Sequence, residues 1–472
     1  MDTPYAITIN GKRVPTATTR AAINPATEKD ICLFPLATRD HLDQAVVAAQ
    51  ESFSIWRDRP LEERQALVAK LGDLISENRE SFIRLLITEQ GKGRAGAEWE
   101  IGGSIHWLHE IAKQSLPPEV IVDKGEEQIV TRYTPIGVIG GITPWNFPLL
   151  LAVWKIAPAL VAGNTMVLKP SPYTPLCTLL FGELAQSVLP PGVLNVISGG
   201  DELGQWMTEH PGIGKISFTG STVTGRKVMS SASVNLKRLT LELGGNDPAI
   251  VLPDVDPKKI AKDLFWASFA NSSQFCVACK RLYIHEDVYD AVAHELVEYA
   301  KTVTIGDGLT DGVELGPIQN RMQYDKVLNL LQDCKDRGQR FLLGGEASAS
   351  PGYFIPVSLV DNPPEDSRVV VEEAFGPVLP LLKYRDIDDV VRRANNSPYG
   401  LAASVWGKDV KKAEAIASRL EAGTVWINQI HTFSPDIAFG GHKQSGIGIE
   451  NSLHGLAEYC NTQTLMRRPL AV

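Results

Sequence analysis

The sequence lacks a cysteine framework, a membrane-length apolar run and an excess of positive charge. Only 6 cysteines are scattered over 472 residues, which excludes a small disulfide-stapled domain and favours a reducing compartment. The most apolar stretch, residues 147–161, contains Lys155 and two prolines and is too short to span a bilayer. The formal charge of −9 argues against nucleic acid or an anionic membrane surface as the main partner.

Three further patterns are missing. No basic segment followed by an apolar run opens the sequence, so we expect no signal peptide and a cytoplasmic location. The histidines and cysteines show no ligand spacing, so no metal site is expected. There is no internal repeat and no low-complexity tract. What remains is an ordinary globular composition, 44% hydrophobic and 21% charged, over a length that predicts two or three domains.

The order of apolar patterns predicts an α/β protein. Residues 39–114 carry a helical pattern, and from residue 136 strand-like runs alternate with helical stretches, which is typical of parallel sheets covered by helices. Ligands bind such sheets beyond the carboxyl ends of the strands. The predicted strands are Ile136–Ile142, Thr165–Lys169, Leu194–Ser198, Ile216–Thr219, Leu239–Leu243, Pro248–Leu252, Leu282–Ile284, Phe341–Gly345, Val369–Glu373, Leu379–Leu382, Ala402–Val405 and Thr424–Ile427.

Two stretches carry candidate chemistry. Cys276 follows a run of small polar residues and precedes an apolar, basic strand, so its thiol can be presented to a cleft as a nucleophile. The alternative is a buried cysteine that only packs. Glu242 lies in an apolar strand that ends in Gly244 and Gly245, a setting that raises a carboxyl pKa and suits a general base. A buried ion pair is the alternative for Glu242.

An ordered set of motifs spans nearly the whole chain and resembles the aldehyde dehydrogenase superfamily. Each motif alone is weak to moderate, but the set in this order is specific to that family. The motifs are Pro144–Pro148, Lys169–Ser171, Phe218–Thr222 with Gly225, Glu242–Gly245, Gln274–Cys276, Glu373–Pro377 and Phe439–Gly446.

The resemblance implies a fold with three parts. A Rossmann-type cofactor-binding domain would comprise residues 1–116 and 136–244, and an α/β catalytic domain residues 245–445. A small β oligomerisation arm would comprise residues 117–135 and 458–472, because an edge strand this long needs a partner. A homodimer or homotetramer is therefore expected.

The resemblance also implies a hydrolytic, non-acylating NAD(P)-dependent oxidation of an aldehyde to an acid. Cys276 would form a thiohemiacetal and then a thioester, which water activated by Glu242 hydrolyses. Asn146 and the backbone N–H of Cys276 would bind the oxyanion, although Asn146 could be a turn residue instead. Alternatives are a relative that passes the acyl group to coenzyme A, a semialdehyde dehydrogenase of a catabolic pathway, and a non-catalytic structural protein on this fold.

Cofactor contacts follow from the same motifs. The segment from Gly220 to Gly225 joins a strand to a helix, where a pyrophosphate can bind, although an N-capped helix alone would look the same. Lys169 would contact the adenosine ribose, and Glu373 the nicotinamide ribose with Phe375 beside it. The expected cofactor-binding residues are Ile142, Thr143, Pro144, Trp145, Lys169, Ser171, Pro172, Gly204, Gly220, Ser221, Gly225, Leu243, Glu373 and Phe375.

One departure from the family pattern concerns the choice of dinucleotide. Pro172 stands where many NAD-specific relatives have a glutamate that binds the ribose hydroxyls and repels a 2′-phosphate. Because Lys169 remains, both NAD and NADP are expected to work. No further arginine is visible beside this run, so strict NADP specificity is not expected.

The expected substrate pocket is apolar. Trp154 and Ala270 stand where relatives specific for succinate semialdehyde carry arginines, which favours uncharged aromatic or medium-chain aliphatic aldehydes unless His431 or a distant arginine enters. Trp107 could face the aldehyde or only pack between helices. Cys279 is read as packing, with a reversible disulfide as the alternative. The expected pocket residues are Trp107, Phe147, Leu151, Trp154, Phe275 and Phe433.

Overall fold

The computed structural model describes residues 4–348 and 351–469, and its N-terminal part combines hairpins with four helices. The predicted helical stretch is divided because Pro60, Asn78 and the left-handed Gly91 each end or begin a helix. The elements are β1 (Ile7–Ile9), β2 (Lys12–Val14), β3 (Thr18–Asn24), β4 (Lys29–Leu36), α1 (Arg39–Asp58), α2 (Leu61–Glu77), α3 (Arg79–Gln90), α4 (Arg94–Ile111), β5 (Glu119–Lys124) and β6 (Glu127–Pro135).

The first large sheet is built from alternating strands and helices. Its five central strands are parallel and follow the order β9, β8, β7, β10 and β11. Strands β1 and β2 lie beyond β9, and the short strand Gly446–Ile447 pairs antiparallel with β11 at the other edge. Helix α5 is buried on all sides and packs behind this sheet. The elements are β7 (Val138–Ile142), α5 (Pro148–Val161), β8 (Thr165–Lys169), α6 (Leu176–Ala185), β9 (Leu194–Val196), α7 (Asp201–Glu209), β10 (Lys215–Thr219), α8 (Thr222–Ala232) and β11 (Arg238–Glu242).

The second large sheet has the order β14, β15, β16, β13, β12, β18 and β19, and only β14 runs antiparallel to its neighbour. The chain passes from the first sheet to the second between Glu242 and Asp247. The elements are β12 (Asp247–Val251), α9 (Pro257–Phe269), β13 (Cys279–His285), α10 (Tyr289–Ala300), α11 (Arg321–Asp336), β14 (Phe341–Leu343), β15 (Ser358–Asp361), α12 (Arg368–Val371), β16 (Val378–Tyr384), α13 (Ile387–Asn395), β17 (Tyr399–Gly400), β18 (Ala402–Trp406), α14 (Val410–Ala417), β19 (Thr424–Ile427), β20 (His442–Lys443), β21 (Gly446–Ile447), α15 (Ser452–Ala457) and β22 (Cys460–Arg467).

One strand prediction is wrong. The segment Val369–Glu373 forms the short helix α12 and the loop that follows it, not a strand. The β-branched valines favour a strand locally. In the sheet, however, β16 already pairs with both β13 and β15, so no edge is open for a further strand there.

The predicted arm is a three-stranded sheet in the described part of the chain. Strand β6 is central and β22 pairs along its length, from Cys460 opposite Pro135 to Arg467 opposite Gln128. The terminal strand therefore completes the chain's own hairpin. Residues 1–3 and 470–472, which belong to the expected domain and arm ranges, lie outside the described residues.

Two features are absent from the described part of the chain. No helix there is long and apolar enough to cross a membrane. No group of three or more histidine, cysteine or acidic side chains there could hold a metal ion.

Candidate active site

The loop before Cys276 has an unusual backbone. Helix α9 is followed by a short 3-10 turn in which Asn271, Ser272 and Ser273 have φ values of 54°, 55° and 61°. Left-handed backbone at non-glycine residues costs about 1–3 kcal/mol each and collects at functional sites. The surrounding structure holds the turn, because Ser272 Oγ donates to Gly316 O at 2.7 Å and Gln274 Nε2 donates to the carbonyl of Asn271 at 3.0 Å.

Cys276 stands at the end of this loop with its side chain partly buried. Burial raises the pKa of the thiol to about 12, and the carboxylates of Asp247, Glu242 and Glu373 push it in the same direction. The charge of Lys280 lowers it. A thiol in this setting needs a nearby positive charge to become a thiolate near neutral pH.

Asn146 lies in the turn between β7 and α5 and is buried. Its Nδ2 donates to the carbonyl of Gln274 at 3.0 Å, so the turn reaches the loop that carries Cys276. One of the two expected amide donors is thereby used, and one remains. Among the described residues, nothing accepts the backbone N–H of Cys276, the other expected donor.

A buried ion pair that the sequence did not reveal holds Asn146. Lys92 and Glu100 form a short contact inside the protein, and Lys92 Nζ also donates to the carbonyl of Asn146 at 3.1 Å. Glu100 Oε1 accepts the backbone N–H groups of Leu149 and Leu150 at 3.0 and 3.2 Å, which caps the first turn of α5. The pair therefore fixes the start of the helix and the turn before it. Its only signal in the sequence is a lysine just before α4 and a glutamate on α4 among buried apolar residues.

Glu242 is the last residue of β11 and is 4% exposed. Neither carboxylate oxygen has a hydrogen-bond partner among the described residues, so the expected alternative of a buried ion pair is not found. Burial raises the pKa of Glu242 well above its usual range, the charge of Glu450 raises it further, and Lys155 opposes both. Glu450 itself is paired with Lys155 at 2.8 Å.

Glu373 lies over the glycines that follow Glu242. Its Oε1 accepts the N–H of Gly245 at 3.0 Å, and a Cβ at Gly244 would lie 2.4 Å from its Oε2. A Cβ at Gly245 would lie 2.9 Å from the carbonyl of Cys276. The two glycines therefore let the carboxylate and the cysteine loop approach the end of β11 closely.

Other expected cofactor residues meet at the ends of β7 and β8. Thr143 N–H donates to the carbonyl of Lys169 at 3.1 Å, while Thr143 Oγ1 is buried without a partner among the described residues. The rings of Trp145 and Phe375 meet edge to face at 5.3 Å. Ile142 ends β7 and Pro144 follows Thr143. These residues share one edge of the first sheet.

The segment from Gly220 to Gly225 forms an N-capped helix start. Ser221 Oγ accepts the N–H of Thr224 at 3.2 Å at the start of α8. A Cβ at Gly220 would lie 2.5 Å from the ring of Phe218, and one at Gly225 would lie 2.5 Å from Leu243. A side chain at either glycine would force Phe218 or Leu243 to move.

Lys169 is buried, and its Nζ has one distant hydrogen bond, to Pro170 O at 3.4 Å. Burial lowers the pKa of Lys169 to about 8, against the opposing charges of Asp201 and Glu202. Ser171 is also buried, and its Oγ accepts the N–H of Tyr173. A Cβ at Gly204 would contact only the Lys169 side chain, so there is open space between α7 and Lys169.

The structure brings an arginine from elsewhere in the sequence close to this run. A surface cavity of about 280 Å³ is lined by Pro172, Tyr173, Glu202 and Arg20, among others. The guanidinium of Arg20 lies 5.7 Å from the centre of the Tyr173 ring. Arg20 comes from the β3–β4 hairpin, far away in the sequence, so no local pattern could have indicated it.

The expected substrate residues form an aromatic cluster. Phe147 and Phe275 approach to 4.6 Å between ring centres, and Trp154 lies 6.3 Å from Phe433. Trp107 stacks on Trp154 at 5.6 Å between ring centres and donates its Nε1–H to Asn451, so its ring is packed within the cluster. Leu151, half-buried, lies on α5 in the same helix as Trp154.

His431, which sequence analysis named as a source of charge, packs against Phe275 at 4.5 Å between ring centres. Burial lowers its pKa to about 4, so the ring is neutral at pH 7. Cys279 is buried at the start of β13, and it is a free thiol, as is Cys276.

Comparison with known proteins agrees with this geometry. The model of the aldehyde dehydrogenase family matches residues 14–465. FUS7 of Gibberella fujikuroi, named a putative aldehyde dehydrogenase, is 41% identical over 463 residues, 98% of each protein. An aldehyde dehydrogenase of Bacillus cereus, solved as its NAD+ complex, is 36% identical with a TM-score of 0.96 over 98% of this chain and 96% of that one. An NADP-dependent enzyme of E. coli is 33% identical with a TM-score of 0.96 over 98% of both chains.

These findings confirm the predicted family resemblance, the α/β fold and the enzyme class. The family match and the relatives cover nearly the whole chain, and no large segment of it remains unmatched. The chain belongs to the aldehyde dehydrogenase family.

Proposed function

We propose that the chain oxidises an uncharged aldehyde to the carboxylic acid with NAD+ or NADP+, with Cys276 as nucleophile and Glu242 as the base of hydrolysis. The observation that carries the proposal is the meeting of three segments at one place. Asn146 bonds to the loop of Cys276, and the charge of Glu242 acts on the Cys276 thiol. Each group comes from a different segment, and each has the chemistry that its step needs.

The first half-reaction uses the thiolate of Cys276. Its sulfur attacks the aldehyde carbon and forms a thiohemiacetal, whose oxygen becomes negative. The free N–H of the Asn146 amide and the N–H of Cys276 are the donors for that oxygen. A bound NAD(P)+ supplies the hydride acceptor, and loss of hydride leaves a thioester on Cys276.

The second half-reaction uses Glu242. A carboxylate without partners, buried at the end of a strand, can take a proton from water as the water attacks the thioester. This favours hydrolysis over the alternative in which coenzyme A takes the acyl group. It also argues against a non-catalytic role, since an unpaired buried carboxylate is costly to a protein that does not use it.

The cofactor would lie at the carboxyl edge of the first sheet, within a domain of residues 1–116 and 136–244. The start of α8 at Ser221 offers a helix N-terminus for a pyrophosphate. Lys169 has unused donor capacity for the adenosine ribose, and Glu373 lies near Cys276, where a nicotinamide ribose belongs. Residues 245–445 would form the catalytic domain.

We infer that both dinucleotides are used. Pro172 supplies no carboxylate against a 2′-phosphate, and Arg20 and Lys169 offer positive charge near it. Asp201 and Glu202 oppose that phosphate from the same cavity. The balance of charges favours neither cofactor strictly.

The aromatic cluster supports an uncharged aromatic or medium-chain aliphatic substrate. A distant carboxylate on the aldehyde would need a cation in the pocket. His431 is neutral at pH 7, and Lys92 over the Phe147 ring is already paired with Glu100. The alternative of a succinate-semialdehyde-type substrate is therefore disfavoured.

A homodimer or homotetramer built on the arm sheet β5–β6–β22 is also proposed. Val120, Ile121 and Met466 on these strands are 55%, 54% and 76% exposed. Exposed apolar residues on edge strands favour association. Light scattering that finds a stable wild-type monomer would contradict this.

The deciding experiment is NADH and NADPH formation with a panel of aromatic, aliphatic and carboxylate-bearing aldehydes. Cys276→Ser should lose turnover, and Cys279→Ser, three residues away and free of contact with substrate in this proposal, should keep it. A fully active Cys276→Ser would refute the mechanism. A higher kcat/KM for succinate semialdehyde than for any neutral aldehyde would refute the substrate class.

A further inference from the structure

Lys280 occupies an irregular position in its strand. Asp247 pairs with Cys279 and Pro248 pairs with Arg281, so Lys280 is the extra residue of a β-bulge between β12 and β13. A bulge turns a side chain out of the regular alternation and is common beside active sites. Arg281 points elsewhere, since its Nε donates to the carbonyl of Asn246 at 2.8 Å.

The bulge directs Lys280 beneath the loop that carries Cys276. Its Nζ donates to the carbonyls of Cys276 at 2.6 Å, Phe275 at 3.0 Å and Ala278 at 3.4 Å. These three contacts use the three N–H groups of an ammonium. The side chain is almost fully buried, so its charge is not screened by bulk water.

Lys280 is also close to the carboxylate of Glu373, with Nζ 3.6 Å from Oε1. The titratable groups that act on Cys276 or Lys280 come from several elements: Asp247 on β12, Glu242 on β11, Glu373 after α12, His431 after β19 and Lys326 on α11. The acidic ones oppose ionisation of Cys276, while Lys280 favours it. His431 is neutral at pH 7.

We propose that Lys280 is a positioning residue that anchors the nucleophile loop through three carbonyls and supplies the fixed positive charge that stabilises the Cys276 thiolate. This rests on the proposed role of Cys276. When the thiol ionises, its proton leaves to water and the sulfur keeps the electron pair. The carboxylate of Glu373 also interacts with the Lys280 ammonium, so it weakens the effect of Lys280 on the thiolate.

The test is the pH profile of alkylation of Cys276 by iodoacetamide, with Cys276→Ala subtracted as background. Lys280→Met removes charge and donors at similar length, and the midpoint should rise by about one to two pH units, the size of a unit charge at short range in a protein of intermediate dielectric. Lys280→Arg keeps the charge and should restore most of the wild-type midpoint. Glu373→Gln should move the midpoint in the opposite direction.

Each outcome decides the proposal. An unchanged midpoint in Lys280→Met, whatever its thermal stability, would show that Lys280 only supports the loop. If Lys280→Met does not fold, Lys280→Gln, which removes the charge but keeps an N–H donor, is read in the same way, and an unchanged midpoint there contradicts the proposal. Alkylation needs no turnover, so it reports on Lys280 even if the aldehyde assay refutes Cys276 as the nucleophile.

Discussion

The start of α5 and the end of β11 each bury a glutamate, with opposite surroundings. Glu100 has Lys92 and two backbone N–H groups of α5 as partners. Glu242 has no partner for either oxygen among the described residues. A satisfied buried charge fixes geometry, whereas an unsatisfied one keeps its capacity for a ligand or a proton.

The buried lysines show the same difference. Lys155 has Glu450 at 2.8 Å and Ser217 at 3.1 Å, and it lies in the packed core behind the first sheet. Lys169 has only a carbonyl at 3.4 Å, at the strand edge where a dinucleotide is proposed to bind. In these two comparisons the less satisfied residue, Glu242 or Lys169, is the one that we assign to chemistry, and the better satisfied one, Glu100 or Lys155, holds the structure in place.

The largest effect is expected from removing the unsatisfied carboxylate. Glu242→Gln should keep a burst of NADH, because Cys276 still forms the thioester, while steady-state turnover falls by about 10²–10⁴-fold. Stopped-flow and steady-state absorbance at the NADH band measure both phases. Cys276→Ala, as the control, should show neither. Wild-type turnover in Glu242→Gln would contradict the assignment of the base.

The next largest effect, on stability, is expected from breaking the buried ion pair of Lys92 and Glu100. Lys92→Met leaves Glu100 buried without its cation, and the free energy of unfolding should fall by about 3–5 kcal/mol. Urea unfolding measures the loss. The double variant Lys92→Met with Glu100→Gln should recover part of it, because the remaining charge is removed. If Lys92→Met is as stable as the wild type, the pair does not hold the start of α5.

The sequence predicted the elements that carry their own pattern. Glu242 before two glycines and Cys276 after a polar run lie where expected, because each is bracketed by an apolar strand with strong local preference. Sequence-based prediction failed where a contact is made by residues that lie far apart in the chain. Lys92 meets Asn146 across 54 positions, and Arg20 reaches Tyr173 from a separate hairpin. The local preference of the valines in α12 predicts a strand. They form a helix instead, because strand pairing in the sheet, not local preference, determines their state.

An intermediate effect, on the choice between NAD and NADP, is expected from a change beside Lys169. Pro172→Glu would add a carboxylate in the cavity beside Lys169, able to accept from ribose hydroxyls and to repel a 2′-phosphate. The NAD/NADP ratio of kcat/KM should rise by about one to two orders of magnitude, the value of one charge-assisted hydrogen bond. Pro172→Ala is the matched control without charge. An unchanged ratio in Pro172→Glu would place the selectivity elsewhere.

The smallest effect is the pH dependence of stability that an unsatisfied carboxylate imposes. Burial raises the pKa of Glu242 above its ordinary value of 4.5, so the folded chain holds a proton that the unfolded chain has lost. This contribution to stability is present in full below that value and disappears as pH rises through the raised pKa. In that window the wild type should lose stability from this group as pH rises.

Glu242→Gln cannot ionise, so its thermal midpoint should rise relative to the wild type as pH increases from 5 to 9. The expected change is a few degrees at most, because a given free energy shifts the midpoint less in a long chain. Glu77→Gln, an exposed position on α2, is the matched control and should follow the wild type. A constant difference between Glu242→Gln and the wild type across this range would mean that Glu242 is already ionised or hydrated in the folded chain. The contrast with Glu100 would then no longer explain which carboxylate reacts.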